Sequence, residues 1–459
     1  MTAWADRVLA LSDGFATGLG VAHLSLTHGW VPTILELVAA ATLVLAVGRR
    51  TRRWSVVWLP AGGIVGAGAA IGAYWYVMSA GLAGDPAPAA VWIWIGLSGL
   101  AAVIAAAGWR AARWWRRGLS VLAIPLSLLC ASAAVNTWVG YFPTVGAAWN
   151  ELTGRRLPDQ TDRATVAAMQ LARQVPAHGA VVEVTIPANA SGFKHRDELV
   201  YLPPAWFSTN PPPRLPAVMM IGAQFNTPTD WIRAGGAVET LDAFAAAHGG
   251  NTPVFVFVDS GGAFNIDTEC VNGSRGNAAD HLTKDVVPFM ISTFGVSSEP
   301  SRWGVVGFSA GGTCALDLAV MRPDLFSAFV DIGGDLSPNT GSRAQTIDWL
   351  FSGDAAAWKS FDPTTVITRH GRYEGVSGWF VISGAPQSDQ SPNVLAADNA
   401  ERRAAGALCG VATGNGIHCT VVAQPGTHDW PFARRAFTAA MPWLAGRLGT
   451  PGTGAIPLP

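Results

Sequence analysis

The sequence predicts an all-α membrane domain of four helices, followed by an α/β domain with a mostly parallel sheet. Half of the 459 residues are hydrophobic and only 13% are charged, which is unusual for a soluble protein. The long uncharged runs are confined to residues 29–147. From about residue 180 onward, short apolar strands alternate with helical stretches, a pattern typical of a parallel sheet covered on both faces.

Four apolar runs are each long enough to cross a hydrocarbon core of about 30 Å. Within a transmembrane domain of residues 1–148, we expect the helices at about residues 29–48, 54–82, 89–109 and 119–139. Arginines cluster after the first and third runs, at Arg49, Arg50, Arg52, Arg53, Arg110, Arg113, Arg116 and Arg117. The positive-inside rule places these loops in the cytoplasm. The sequence therefore predicts a multi-pass protein of the cell membrane whose globular domain is extracytoplasmic.

Glu36 is the one acidic residue within the predicted spans. A carboxyl group inside a membrane is a functional candidate, which supports an alternative in which the helices form a small transporter or sensor beside an inactive globular domain. Because Glu36 lies about two turns from the outer end of its helix, we expect that it reaches the interface or pairs within the bundle.

The remainder of the chain divides into a linker with a short helix at residues 149–178, a globular domain at 179–449 and a flexible tail at 450–459. A hairpin pattern at 181–187 and 198–204 precedes apolar strands at 217–223, 253–260, 303–308, 326–334, 378–384 and 419–426. Catalytic residues of such a sheet are expected at the carboxyl ends of its strands.

Residues 307–311 read Gly-Phe-Ser-Ala-Gly, a G-x-S-x-G sequence between a predicted strand and a predicted helix. Glycines on both sides of the serine allow a sharp turn that exposes the hydroxyl and directs a helix N-terminus toward developing negative charge. Ser309 is therefore the predicted nucleophile of an α/β-hydrolase fold.

A serine nucleophile needs a histidine base, and this fold supplies its residues in the order serine, acid, histidine. Three histidines follow Ser309. His428 lies between the last strand and the last helix, where the base is expected. His418 precedes that strand, at its wrong end, and His370 lies in a polar, turn-rich stretch that suggests a surface position.

Asp389 is the predicted acid, because it follows the strand at 378–384 by a short loop. Asp398 is the main alternative and lies at the start of the next helix, where it would also serve as an N-cap. Asp335, after the strand at 326–334, is a further alternative.

An oxyanion hole requires two backbone N–H donors. One is expected from Ala310, directly after the nucleophile. The other is expected from Gln224, with Phe225 as its neighbour, in the loop after the strand at 217–223.

Several segments resemble the esterase D, S-formylglutathione hydrolase and mycolyltransferase group of α/β-hydrolases. The resemblance rests on the segments EVTIPANASGFKHRDELVYLPP, PAVMMIGAQFNTPTDW, WGVVGFSAGGTCALDLAVMRPDLFSAFVDIGG and PGTHDWPFARRAFTAAMPWLA. It implies Ser309 as nucleophile, His428 as base, Asp389 as acid, and Gln224 and Ala310 as oxyanion donors. The mycolyltransferases of this group usually use glutamate as the acid.

The resemblance implies an esterase that cleaves or transfers an acyl group through an acyl-serine intermediate. Membrane anchoring suggests a lipid or cell-envelope ester as substrate, and transfer to a sugar or lipid hydroxyl is the alternative to hydrolysis. We expect no cofactor and no metal, since H-E-x-x-H and clustered histidine patterns do not occur. The net charge of −1 and the lack of a basic stripe outside the membrane flanks indicate no nucleic-acid partner.

Four cysteines lie in the globular part, at Cys270, Cys314, Cys409 and Cys419, and none forms a C-x-x-C pair. The short separation of Cys409 and Cys419 would allow a local disulfide in an oxidising compartment.

Overall fold

The computed structural model describes residues 21–48, 51–79, 87–110, 112–225, 227–263, 265–384 and 400–459. The chain forms two compact units, Met1–Arg155 and Arg156–Pro459.

The first unit contains four apolar helices that are long enough to cross a membrane. They are α1 (Trp30–Val47), α2 (Leu59–Ser79, continuous with a π-helical segment Trp54–Trp58), α3 (Ala89–Gly108) and α4 (Trp114–Val139), and a short α5 (Val145–Leu152) follows. Helix α4 begins at Trp114 and not near Leu119, because arginine and tryptophan are compatible with a helix that starts in the interfacial region.

Glycines bring α2 and α3 into close backbone contact. A Cβ atom on Gly66 would collide with the carbonyl oxygen of Gly96, and one on Gly99 would lie 3.0 Å from the Cα of Gly66. Small residues are typical of helix interfaces within a membrane, where close packing replaces the hydrophobic driving force.

The second unit is built on a nine-stranded sheet. The strands of this unit are β1 (Gln160–Thr161), β2 (Ala180–Val184), β3 (Glu198–Leu202), β4 (Ala217–Ile221), β5 (Val254–Phe257), β6 (Asn272–Gly273), β7 (Gly276–Asn277), β8 (Trp303–Phe308), β9 (Ala328–Ile332), β10 (Ser377–Ser383) and β11 (His418–Gln424). Strands β6 and β7 form a separate hairpin, and the other nine form the sheet. The order across the sheet is β1-β2-β3-β5-β4-β8-β9-β10-β11.

Only β3 runs antiparallel to its neighbours within this sheet, among the residues that the structure describes. Every residue of β4, β5, β8 and β9 is buried, as expected for strands covered by helices on both faces. The parallel sheet and the four apolar helices confirm the predicted fold class.

The helices of this unit are α6 (Arg163–Leu171), α7 (Asp230–Arg233), α8 (Ala237–Ala247), α9 (Ala278–Asp280), α10 (Val287–Phe294), α11 (Ala310–Met321), α12 (Arg343–Phe351), α13 (Ala355–Lys359), α14 (Pro363–His370), α15 (Ala400–Gly414) and α16 (Trp430–Arg447). Helix α6 and strand β1 lie in the segment predicted as a linker. At the other end, residues 450–459 lie against the domain: Thr450 is buried, and Thr420 Oγ1 donates to the carbonyl of Pro459 at 3.0 Å.

Two disulfides connect elements of this unit. Cys409–Cys419 links α15 to β11, and Cys270–Cys314 links the loop after β5 to helix α11. The sequence suggested the first pair and did not predict the second.

Candidate active site

Ser309 occupies the sharp turn between β8 and α11. Its φ and ψ angles are 58° and −123°, and a positive φ is uncommon and strained for a residue with a side chain. The Ser309 N–H donates to the Ile332 carbonyl at 2.8 Å, which ties the turn to the end of β9. The residue is partly exposed, so its hydroxyl is available to a substrate.

The two flanking glycines have a steric basis. A Cβ atom on Gly307 would collide with the carbonyl group of Gly311, across the turn. A Cβ atom on Gly311 would lie 2.5 Å from the carbonyl oxygen of Ile221, at the end of β4. Only glycine at these positions lets the helix approach the strand closely enough to form the turn.

His428 lies between β11 and α16, in the position predicted for the base. Its ring is 4.8 Å from the ring of Phe308, the residue before the nucleophile. Gly333, after β9, leaves space for the imidazole, since a Cβ atom there would lie 2.9 Å from His428 Nδ1. These contacts place the imidazole directly beside the turn that carries Ser309.

Among the described residues, Glu401 brings a carboxylate into contact with this histidine. His428 Nδ1 and Glu401 Oε1 are 2.6 Å apart, and Ser383 N–H donates to Glu401 Oε2 at 2.7 Å. Burial opposes ionisation of Glu401, but the hydrogen bonds from His428 and Ser383 outweigh it and lower the pKa of the carboxyl. Glu401 is therefore ionised and holds the imidazole by its Nδ1 side.

Glu401 was not predicted from the sequence. The predicted acid was Asp389, with Asp398 as the main alternative and Asp335 as a further one, and both Asp389 and Asp398 lie outside the described residues. Asp335 instead accepts a hydrogen bond from the Asn339 amide at 3.3 Å, four residues along the chain. One signal could have pointed to Glu401. The mycolyltransferases that the sequence resembles usually use glutamate as the acid, and Glu401 is a glutamate in the first turn of the helix predicted after the strand at 378–384.

The two predicted oxyanion donors line one pocket. Ala310 is the first residue of α11, where backbone N–H groups are free of intrahelical partners and the helix dipole favours negative charge. Gln224 follows β4, and its side-chain amide donates to Asp267 Oδ2 at 3.2 Å. Both residues border the same cavity beside the nucleophile turn.

Residues 194–444 match the family model described as "Putative esterase". The chain belongs to this esterase family. It is therefore a carboxylic ester hydrolase, and the predicted resemblance is confirmed.

The esterase is 29% identical to the uncharacterized protein Cgl0967/cg1104 of Corynebacterium glutamicum over 337 residues, which cover 71% of this chain and 75% of that protein. It is 28% identical to the MPT51 antigen of Mycobacterium leprae over 158 residues, 34% of this chain and 45% of the antigen. Among solved structures, an S-formylglutathione hydrolase from Agrobacterium tumefaciens aligns with a TM-score of 0.46 and 16% identity, over 60% of this chain and 97% of that one.

The cavity beside the predicted oxyanion donors is small and has room for about one water-sized group. Three segments form its wall: residues 222–225 after β4, residues 260–261 and 266–270 after β5, and the start of α11. The Cys270–Cys314 disulfide joins the second segment to the third, so one wall of the pocket is covalently tied to the helix that follows Ser309.

The other two histidines that follow Ser309 lie elsewhere in the esterase. His418 is exposed and pairs with Ser377 at the starting ends of β11 and β10, opposite the edge that carries the nucleophile. His370 is exposed at the end of α14 and stacks on Tyr373, with ring centroids 3.9 Å apart.

One group of side chains has a composition that could bind a metal. His195 Nδ1 and His281 Nε2 each lie 2.9 Å from Glu198 Oε1, and all three ligand atoms are within 4.8 Å of one another. The two imidazole rings stack with centroids 4.2 Å apart and 23° between their planes. An ion bound by two imidazoles lies near the plane of each ring, and two rings stacked face to face cannot both direct a nitrogen lone pair at one ion. The group is a hydrogen-bonded cluster in which Glu198 raises the pKa of His195 to about 9.

Proposed function

We propose that this esterase works through an acyl intermediate on Ser309, with His428 as the base and Glu401 as the carboxylate that orients the base. The observation that carries the proposal is the 2.6 Å contact between His428 Nδ1 and Glu401 Oε1 beside the strained turn at Ser309. A carboxylate on Nδ1 fixes the tautomer that leaves Nε2 free to accept the serine proton.

In the first half-reaction, Ser309 Oγ bonds to the ester carbonyl carbon while its proton passes to His428 Nε2. The carbonyl oxygen becomes an oxyanion, which the N–H groups of Ala310 and Gln224 stabilise. Each such donor contributes about 3 to 4 kcal/mol to transition-state stabilisation in related chemistry. Collapse of the intermediate breaks the bond to the alcohol oxygen, and His428 returns the proton to that oxygen.

In the second half-reaction, an acceptor hydroxyl attacks the acyl-serine and gives its proton to His428, which passes it back to Ser309. Water as acceptor makes the reaction a hydrolysis. A sugar or lipid hydroxyl makes it an acyl transfer, and the glutamate at position 401 favours this second candidate, because the mycolyltransferases that the sequence resembles usually use glutamate.

The proposed location is the cell membrane, with the catalytic domain on the extracytoplasmic side. Four helices long and apolar enough to span the bilayer support the anchoring, and the arginines after the first and third spans support the orientation. Two disulfides in the catalytic domain agree with an oxidising compartment. A domain held near a bilayer encounters lipid or cell-envelope esters most often, and we propose these as its substrates.

The test is labelling with a fluorophosphonate probe in membranes that contain the full-length protein, Ser309→Ala or Ser360→Ala. Ser360 is an exposed serine at the end of α13 and serves as the matched control. We expect labelling of the wild type and the control only, and parallel loss of turnover across p-nitrophenyl esters of increasing chain length. Labelling that persists in Ser309→Ala would show that another residue is the nucleophile.

Labelling and turnover together also distinguish the two acceptors. Rapid release of p-nitrophenol with steady turnover in water supports hydrolysis. A single burst without turnover, which an added sugar or glycerolipid hydroxyl relieves, supports acyl transfer.

A further inference from the structure

Carboxylates line the small pocket beside the oxyanion donors. Asp267 and Glu269 both border it, and Glu269 is only 4% exposed. Asp335 contributes a further negative charge close enough to act on both. Among the described residues that border the pocket, none carries a positive charge.

Glu269 is the decisive side chain in this group. Its Oε2 atom is buried and has no hydrogen-bond partner among the residues that the structure describes, and a buried, unpaired carboxylate oxygen is costly. Burial, followed by the negative charges of Asp267 and Asp335, raises the pKa of Glu269 well above its usual range. Carboxylates this close share a proton unless a cation lies between them.

The neighbouring Arg275 does not neutralise the negative charges of Asp267 and Glu269. Arg275 donates to the backbone carbonyl of Asp267, and its charge only partly offsets the burial that raises the pKa of the Asp267 carboxyl. The Arg275 side chain does not border the pocket.

The position of the pocket determines which part of an ester can enter it. The leaving alcohol must receive its proton from His428, so it departs on the histidine side. The pocket is bordered by Gln224 and Ala310 and not by His428. A group in the pocket therefore belongs to the acyl part, next to the carbonyl whose oxygen lies at the oxyanion donors.

We propose that this pocket binds an ammonium group carried by the acyl part of the substrate, close to the scissile carbonyl. The proposal rests on the proposed acyl-serine function and narrows its substrates to cationic acyl esters. Glu269 Oε2 would accept a hydrogen bond from the ammonium, and Asp267 would contribute the second negative charge.

A hydrogen bond and a disulfide fix the position of these carboxylates relative to the proposed oxyanion hole. Asp267 Oδ2 accepts from the Gln224 side chain at 3.2 Å. Cys270, directly after Glu269, is joined by its disulfide to Cys314 on the nucleophile helix. The pocket has room for about one water-sized group, which is the size of a primary ammonium.

The experiment compares two p-nitrophenyl esters that differ only in charge, those of alanine and of 2-methylpropanoic acid, in which a methyl group replaces the ammonium. Rates are measured on membranes with the full-length protein at about pH 6, below the pKa of about 7.7 to 8.0 of an α-amino group. The rate of Ser309→Ala membranes is subtracted. The quantity of interest is the ratio of kcat/KM for the two esters divided by the ratio of their spontaneous hydrolysis rates, because the electron-withdrawing ammonium also activates the ester carbonyl.

We expect the wild type to prefer the alanine ester by about tenfold or more, which is the usual contribution of a hydrogen bond to a charged group. Glu269→Gln should lower that ratio by about tenfold, Asp267→Asn should also lower it, and Asp324→Asn, at an exposed pair with Arg322, should keep it. Fluorophosphonate labelling of each variant reports that its site is folded.

Two results would overturn the ammonium site. One is a wild-type ratio near one while Ser309 is labelled, and the other is an unchanged ratio in both Glu269→Gln and Asp267→Asn with labelling intact. Absence of labelling in the folded wild type would instead refute the acyl-serine function, and the ammonium site with it.

Discussion

Glu401 stands in the first turn of α15, and three local features favour its ionised form. The helix N-terminus carries a partial positive charge, Ser383 N–H donates to Oε2 at 2.7 Å, and His428 contacts Oε1 at 2.6 Å. In the proposed mechanism, an ionised carboxylate at this point stabilises the imidazolium that forms when His428 takes the serine proton.

Replacing Glu401 should therefore slow the chemical step. We expect Glu401→Gln to lower kcat by about 10² to 10⁴, because the amide no longer stabilises the imidazolium and can favour the wrong tautomer. KM should change little, since the side chain is bound to the histidine and not to the substrate. Steady-state kinetics with a p-nitrophenyl ester measures both parameters.

Asp389→Asn and Asp398→Asn are the matched comparisons for that variant. Each removes one carboxylate that the sequence nominated as the acid, and we expect either to retain most of the activity. A large loss in Asp389→Asn, together with a small one in Glu401→Gln, would return the role of acid to Asp389.

The proposed acid, Glu401, was harder to find from sequence than the serine or the histidine for a physical reason. Ser309 and His428 are marked by tight turns with distinctive glycine and strand patterns. The acid only has to bring a carboxylate to Nδ1, which a residue well beyond the end of β10 can do. A glutamate in the first turn of a helix also resembles an ordinary dipole-stabilising charge.

Asp331, buried in β9 beneath the catalytic residues, predicts a pH-dependent stability. Burial raises its pKa to about 7, although Gly334 N–H donates to Oδ1 at 2.7 Å. The folded state thus binds the proton more tightly than the unfolded state, whose aspartate has a pKa of about 3.9. Between these values the folded state holds more protons, so stability falls as pH rises.

Asp331→Asn removes this dependence while keeping an oxygen for the Gly334 N–H. We expect the free energy of unfolding of the variant, relative to that of the wild type, to increase by about 4 kcal/mol as pH rises from about 4 to about 7, at about 1.4 kcal/mol per pKa unit. Thermal unfolding at pH 5 and pH 8 measures the effect as a widening gap in Tm. A gap that is constant or narrows with pH would show that Asp331 is already ionised in the folded protein.

Among the elements, the turn between β8 and α11 was the most predictable, because its sterics leave few residue choices. Gly307→Ala places a Cβ atom against the Gly311 carbonyl, so the turn must open. We expect a loss of about 1 to 3 kcal/mol from overpacking and loss of fluorophosphonate labelling at Ser309. Differential scanning fluorimetry and gel labelling give the two readouts.

Gly406→Ala is the control for that variant. An added Cβ on Gly406, within α15, meets no atom within 4 Å, and alanine favours a helix over glycine by about 0.5 to 1 kcal/mol. This variant should be labelled normally and should be slightly more stable. Equal behaviour of the two variants would contradict the steric account of the turn.

Other elements were less visible in the sequence. Strand β1 has only two residues, Gln160 and Thr161, and neither is buried. Such a strand has no hydrophobic alternation to reveal it, and it forms because β2 offers an edge with which it can pair. The apolar strands β4, β8 and β9 were predictable because their whole length is buried.

At the scale of the molecule, cysteine pairing shows where local patterns stop being informative. Cys409 and Cys419 are 10 residues apart, and the sequence suggested their bridge. Cys270 and Cys314 are 44 residues apart, and they meet only because the sheet order places the loop after β5 near the helix that follows β8. That second pairing is a property of the topology.

The disulfides also make the membrane orientation testable by counting thiols. Of five cysteines, four are paired and Cys130, in α4, is free. If the catalytic domain lies outside the cytoplasm, the protein denatured without reductant should react with one maleimide, and the reduced protein with five. Mass-shift gels count the adducts, and Cys130→Ser should lower each count by one.

Protease treatment of intact cells provides the independent half of this test. If the arginine-rich loops after the first and third spans lie inside, as the positive-inside rule predicts, an external protease should remove the catalytic domain and leave the helical region in the membrane. Four or five reactive thiols before reduction, together with a domain that resists protease until the cells are lysed, would place the active site in the cytoplasm. In that case the esters to consider would be those of the inner leaflet.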